Sequence, residues 1–272
     1  MKFIVIGDIF ARPGREAVAR HLPGQREKYA PDFVIANADN ASHGLGVNAA
    51  TVRELYGYGL DLLTGGDHVW DQKDLMTHLD RSPWVLRPLN YPVGTPGKGF
   101  HILETPDKRR LLVIHALGRI FIDKLCDNPF AAIEKLLSGY DLGTNISGIL
   151  VDFHAEASSE KNALGQFLNG KISALLGTHT HIPTSDARIL SQGTAYITDL
   201  GMTGDYDSVI GVDKETPIAN FRTGLKLNKF TPANNEATLC AAFIETDDAT
   251  GLAVKIETIR LGGIMCGMIG QI

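Results

Sequence analysis

Cysteine is scarce: Cys126, Cys240 and Cys266 are the three in the chain, widely spaced and outside any CxxC pair. Neither a disulfide framework nor a thiolate zinc site is expected from them, and a reducing cytoplasm fits that usage. Long apolar runs are missing as well. The opening MKFIVIGDIF meets an acid at Asp8 before it reaches the length of a signal core, and no stretch has membrane-spanning length. Excess positive charge is lacking too. A formal net charge of -5 provides no broad basic surface, which argues against duplex DNA as a partner and leaves open a small phosphate-bearing substrate held through metal ions. Internal repeats, low-complexity tracts and obvious linkers are absent, while 44% hydrophobic and 21% charged residues suit a folded globular protein. Residues 1–272 therefore read as a single domain.

What is present begins with short buried strands. Phe3 to Gly7, Asp32 to Ala36 (DFVIA) and Asp61 to Thr64 (DLLT) are compact apolar runs of strand length. Between them, a helical stretch opens near Pro13, with Pro23 and Gly24 expected to interrupt or split it, and Asn48 is placed to cap a helix through Tyr56. The opening is thus βαβαβ. Further strands are expected at Arg110 to His115, Ser147 to Phe153, Lys171 to Leu176 and Thr194 to Thr198, with helices at Pro129 to Leu137 and Ser158 to Leu168. The C-terminal part departs from this alternation, since Thr238 to Ile244 and Leu252 to Leu261 flank ETDDATG and read as an antiparallel hairpin closed by glycine. An α/β opening that finishes in antiparallel strands points to two packed sheets with helices outside.

Open α/β sheets place ligands at the carboxyl ends of their strands, so the polar residues after each apolar run are the informative ones. Strand one ends in Gly7-Asp8, strand two in Asn37-Ala38-Asp39-Asn40 and strand three in Gly65-Gly66-Asp67-His68. Later, GILVDFH delivers His154 and SALLGTHTH delivers His179 and His181, two histidines spaced to share one side of an extended chain. A single Asp after a strand is commonly a turn or helix cap. Repetition at successive strand ends is not, and oxygen donors mixed with imidazoles, without thiolates, suit Zn, Mn or Fe, singly or as a pair.

The order Asp, Asp-Asn, Gly-Asp-His, His and Gly-Thr-His-Thr-His resembles the calcineurin-type metallophosphoesterases. More specifically, GDIFARPGR, NADNASHGLG, TGGDHVWD, RPLNYPVGTPGKGF, VDFHAEASSEK, GTHTHIPTSD and GTAYITDLGMTG resemble successive blocks of the bacterial YmdB-like phosphodiesterases, 2',3'-cyclic-nucleotide 2'-phosphodiesterases. That resemblance implies a four-layer α/β/β/α sandwich of two mixed sheets flanked by helices. It also implies one ion held by Asp8, Asp39, Asn40 and His181 and a second by Asp39, Asp67, His154 and His179, with His68 as proton donor. Such ions, about 3.5 to 4 Å apart, would activate a bridging hydroxide for attack on phosphorus while His68 protonates the leaving alkoxide. The implied substrate is a 2',3'-cyclic nucleotide or another small phosphodiester. A phosphomonoesterase, an RNA nuclease acting on RNA ends, or a regulatory protein with a weakened metal site are the alternatives; a homo-oligomer is left open.

Three positions depart from the pattern. Phe10 stands where the wider superfamily has a histidine, which the YmdB-like group also lacks; Asp39 replaces that group's usual bridging Glu, and Asp67 replaces its usual Asn. The added charge at Asp67 should raise metal affinity and lower Lewis acidity. Asp152 and Glu156, flanking His154, are candidates for orienting imidazoles or else surface acids. Gly94 to Gly99 (GTPGKG) lacks a complete phosphate-loop motif and reads as a turn. His43 could touch substrate, Trp70 and Tyr206 could stack a base or simply pack, and Arg119 could meet a phosphate or pair on the surface. His21, His78, His101 and His115 show no consistent spacing partner.

Overall fold

The computed structural model describes residues 1–76, 79, 84–226 and 228–265; His78 and Cys266 lie outside the described residues. In chain order the first half contains β1 (Lys2–Ile6), α1 (Ala11–Tyr29), β2 (Phe33–Asn37), α2 (Ala49–Gly57), β3 (Leu62–Thr64), α3 (Lys73–Met76) and β4 (Val85–Leu86). Then follow β5 (Phe100–Glu104), β6 (Arg110–Leu117), α4 (Pro129–Leu137), β7 (Gly148–His154), α5 (Ser158–Leu168), β8 (Ala174–Thr178), β9 (Arg188–Ile189), β10 (Ala195–Ile197), α6 (Glu215–Thr223), β11 (Leu239–Thr246) and β12 (Ala253–Leu261).

These strands form two six-stranded sheets, ordered β12-β11-β1-β2-β3-β4 and β5-β6-β7-β8-β10-β9. Both are mixed. The first runs parallel from β1 through β4, with β11 and β12 added antiparallel. The second is parallel across β6, β7, β8 and β10, with antiparallel edges β5 and β9.

Side-chain alternation on β1 shows how the layers are made. Phe3 and Val5 pack with Leu111, Val113, Leu150 and Leu176 between the sheets, while Ile4 and Ile6 pack outward on Ala17, Val18 and Leu22 of α1. The second sheet mirrors this: Leu112 and Ile114 face outward onto Ile133 of α4 and Leu164 and Leu168 of α5. Burial on both faces explains why the strands read as continuous apolar runs. The expected four-layer α/β/β/α order is the one observed, and β11–β12 form the expected hairpin, with Gly251 in the left-handed region (φ 70°) at its turn.

The strand expected at Lys171 to Leu176 lies instead at Ala174–Thr178, and the expected helix break at Pro23 and Gly24 is missing. Pro23 does not break α1, which runs unbroken from Ala11 to Tyr29. Proline removes one backbone donor and disfavours the preceding turn, but Ala17, Val18 and Leu22 are buried against the first sheet and hold the helix in place through the turn that leads into it. Asn48 caps α2 as expected, its side chain accepting from Thr51 N at 2.8 Å. The GTPGKG segment is a turn, with Gly94 and Gly97 at φ 92° and 82°.

Phe3 is fully buried between the sheets. Phe3→Ala should lower the unfolding free energy by about 3 to 5 kcal/mol, as aromatic deletions in a close-packed core do. Urea unfolding checks this, and a loss below about 1 kcal/mol, nearer the range of surface changes, would contradict the packing described.

Candidate metal centre

Strand ends of both sheets meet at one place. Asp8 follows β1, Asp39 and Asn40 follow β2, and Asp67 and His68 follow β3; across the interface His154 ends β7, while His179 and His181 follow β8. His154 is the hub. Its Nε2 lies 3.4 Å from Asp39 Oδ2, 3.3 Å from Asp67 Oδ1 and 3.1 Å from His179 Nδ1, and its Nδ1 lies 3.6 Å from Asp8 Oδ1. Asn40, next to Asp39 in the chain, places Oδ1 3.1 Å from His181 Nε2. His68 joins through its backbone N–H, which donates to Asp39 Oδ1 at 3.0 Å, and through Nε2, 3.9 Å from Asp67 Oδ2. All eight sequence-designated residues are thus brought together.

Hydrogen bonding on the far side of each ring decides which nitrogen faces inward. His181 Nδ1 sits 2.8 Å from the carbonyl of Ile210, which can only accept, so Nδ1 carries the proton and Nε2 presents a lone pair. That lone pair faces Asn40 Oδ1, whose own amide nitrogen is committed to the Gly44 carbonyl at 3.0 Å. Two acceptors therefore point at each other. His154 repeats the arrangement: Thr178 Oγ1 gives its proton to Asp152 Oδ1 at 2.8 Å and accepts from His154 Nδ1 at 3.0 Å, turning Nε2 toward two carboxylates and an imidazole. His179 Nε2 lies 3.3 Å from Glu156 Oε2, which leaves Nδ1 for the cluster.

Facing acceptors need a cation between them. Asp8 and Asp39 are buried, and Asp67 is 14% exposed, so these charges are little relieved by water. Burial raises the Asp8 carboxyl to about 7 despite the attraction of His154, and Asp199 and Asp152 add to the rise. Burial disfavours the His154 imidazolium, yet Asp39, Asp67 and Asp8 outweigh it and raise that ring well above its ordinary value. Asp67, which burial alone would raise, is held below the carboxylate range by the His154 and His179 rings when these take up a proton in place of an ion. Within the cluster, Asp67, His154 and His179 each offer a donor atom within 4.8 Å of one another, and so do Asp39, Asp67 and His68. Hard oxygens and imidazoles in this disposition fit metal ions. Gly66 supplies the room: a Cβ there would stand 2.5 Å from Asp39 Cγ and 2.6 Å from His154 Nε2.

The supports around this cluster were less visible in the sequence. Asp152 is buried and linked to His115 Nδ1 (3.2 Å), Thr64 Oγ1 (2.5 Å) and Asn37 Nδ2 (3.0 Å). Burial raises its pKa, but His115 and Thr64 bring it down to about 2. Asp152 therefore acts on His154 through Thr178 rather than by direct contact, while Glu156 touches His179 directly. A second support is the fully buried Lys161, whose Nζ donates to the Thr178 carbonyl at 2.8 Å and to Asp199 Oδ2 at 2.7 Å. Asp199 in turn accepts from the N–H groups of Thr180 (3.1 Å) and Gly201 (2.8 Å). This brace matters because His179 and His181 adopt φ 99° and 65°, conformations that cost non-glycine residues about 1 to 3 kcal/mol each. Asp199 directly follows the Thr194 to Thr198 run, the same strand-end signal that marks Asp8; nothing local marks Lys161, Thr178 or His115.

A cavity of about 650 Å³ opens from the cluster, its polar end lined by Asn40, His68, His179 and His181 and its outer wall by apolar residues including Phe221 and Phe230. His43 lines it too. Trp70 and Tyr206 do not; Trp70 packs edge-on against Tyr91, and the Tyr206 hydroxyl bonds to the Met202 backbone. Arg119 lies elsewhere, its N–H bonded to Glu160. Phe10 stands edge-on to the His181 ring, with centroids 5.5 Å apart.

Gly66→Ala should leave the fold intact and weaken divalent-ion binding by about 10- to 100-fold, the cost of disturbing groups that set ligand geometry. Titration of Mn²⁺ followed by calorimetry checks this, with circular dichroism as the control for folding; unchanged affinity would mean that Asp39 and His154 do not face an ion across Gly66.

Over residues 4–259 the chain matches the sequence model of a family described as YmdB-like protein. A 2',3'-cyclic-nucleotide 2'-phosphodiesterase of Bacillus subtilis (strain 168) is 44% identical over 261 residues, which is 96% of this chain and 97% of that protein. Among solved structures, a hypothetical protein from Thermus thermophilus superposes with a TM-score of 0.89 at 44% identity, covering 97% of this chain and 100% of that one. A phosphatase from Mycoplasma pneumoniae gives a TM-score of 0.90 at 34% identity, covering 96% and 93%. Shared across both sheets and nearly the whole length of each relative, these likenesses establish that the chain belongs to the YmdB-like family.

Proposed function

We propose that the chain is a metal-dependent phosphodiesterase that hydrolyses 2',3'-cyclic nucleotides or closely related small phosphodiesters. The observation that carries this reading is the pair of facing-acceptor arrangements, His154 Nε2 against Asp39, Asp67 and His179, and His181 Nε2 against Asn40. They support a reading with two adjacent cation positions at the polar end of a cavity large enough for a nucleotide. Asp8, Asp39, Asn40 and His181 would hold one ion, and Asp39, Asp67, His154 and His179 the other. Divalent ions there supply Lewis acidity toward phosphoryl oxygens and activate water as a nucleophile near neutral pH, with Fe, Mn and Zn all compatible with the donors. The named activity of the Bacillus subtilis relative supports the substrate class.

The chain's own contribution to the chemistry is placement and a proton. His68 Nδ1 is 2.7 Å from Asp71 Oδ2, which fixes the ring and leaves Nε2 facing the cavity. A proton on Nε2 is then positioned for transfer to the alkoxide oxygen released from phosphorus. Asp71 escaped the sequence reading although it lies three residues away, because that spacing is equally that of a helix cap. The apolar outer wall suits a nucleoside more than an extended polyanion. No helix among the described residues is long and apolar enough to cross a membrane. Scarce, unpaired cysteines support a cytoplasmic setting for a single-domain enzyme acting on a small substrate.

His68→Ala should bind metal normally and lose about 10² to 10⁴ in kcat on 2',3'-cyclic AMP, the usual contribution of a general acid. Its loss on bis(p-nitrophenyl) phosphate, whose leaving group needs no proton, should be much smaller. Equal losses on both substrates would contradict the donor role, and wild-type activity that survives metal stripping would contradict the metal-dependent reading.

A further inference from the structure

One cation at the cluster has no part in the scheme above. Residues 118–128, between β6 and α4, form a segment without helix or strand, and Lys124 of this segment places Nζ 3.8 Å from Asp67 Oδ2. Asp67 divides its two oxygens. Oδ1 turns inward, 3.3 Å from His154 Nε2 and 3.5 Å from His179 Nδ1; Oδ2 faces Lys124 and, at 3.9 Å, His68 Nε2. Lys124 thus stands on the outer side of the cluster, near the same carboxylate oxygen as the proton-donating nitrogen. At 3.8 Å the ammonium feels the charge of Asp67 without a hydrogen bond to it, so its N–H groups remain free to reach an incoming anion. Its side chain is 32% exposed, enough to meet solvent yet partly withdrawn from screening.

We infer that Lys124 is a substrate-binding residue, its ammonium receiving a phosphoryl oxygen beside His68 while offsetting the charge of Asp67. The inference rests on the reading of the cluster as a phosphodiesterase metal centre. It has a consequence with opposite signs. A fixed positive charge close to the cluster repels divalent ions and attracts phosphate, so its removal should strengthen the first interaction and weaken the second. A lysine that merely props up the loop would, on removal, weaken both or neither.

The test uses the full chain, stripped of metal, with MnCl₂ titrated calorimetrically into wild type, Lys124→Met and Lys124→Arg, and inorganic phosphate then titrated into each Mn²⁺-loaded protein. Lys124→Met should bind Mn²⁺ about three- to tenfold more tightly, the scale of one unit charge a few ångströms away in a partly hydrated site. Its phosphate affinity should fall about ten- to hundredfold, the worth of a charge-assisted hydrogen bond. Lys124→Arg should return both values toward wild type. Equal phosphate affinity in Mn²⁺-loaded wild type and Lys124→Met overturns the inference alone. A wild-type chain that binds no Mn²⁺ overturns the metal-centre reading and the inference with it.

Discussion

Lone pairs turned toward one another in a buried space are the constraint on which the rest of this molecule depends. Ile210 and Thr178 fix the outer nitrogens of His181 and His154, so the inner nitrogens have acceptors for neighbours. In a low-dielectric interior such a grouping is unfavourable unless a positive charge sits within it. A proton on His154 can supply that charge in the metal-free chain, and divalent ions, on the proposed reading, would replace it with release of the proton. The site is therefore assembled at a standing electrostatic cost that ion binding relieves.

The fold sustains that cost by making its support rigid. Two sheets stacked through Phe3, Val5, Leu111 and Val113 bring the carboxyl ends of β1, β2 and β3 against those of β7 and β8. Each sheet contributes donors that the other lacks: carboxylates and the Asn40 amide from the first, and three imidazoles from the second. Lys161 and Asp199 then lock the loop after β8 in left-handed conformations that would relax in isolation. Breaking such a buried pair by removing one partner costs about 3 to 5 kcal/mol, so the brace belongs to folding as much as to the site.

Much of this was legible along the chain because local chemistry announced it. Apolar runs of strand length, each followed by Asp, Asn or His, place the designated residues at strand ends, and the structure gathers those residues into one cluster. Asn48 and the ETDDATG turn likewise carried their geometry in short-range hydrogen bonding. The unbroken α1 was not legible, since the packing of Ala17, Val18 and Leu22 overrides the local preference of Pro23. Lys161, His115 and Lys124 act through partners 17 or more residues away: Lys161 on Thr178, His115 on Asp152 and Lys124 on Asp67. No spacing rule connects such pairs before the sheets are stacked.

Anomalous diffraction from crystals soaked in Mn²⁺ tests the central claim most directly, because it locates ions without reference to activity. Two peaks about 3.5 to 4 Å apart are expected, one between Asp67, His154 and His179 and the other beside Asn40 and His181, with Asp39 between them. Absence of anomalous density at these residues under saturating Mn²⁺, or density only at surface carboxylates, would contradict the account.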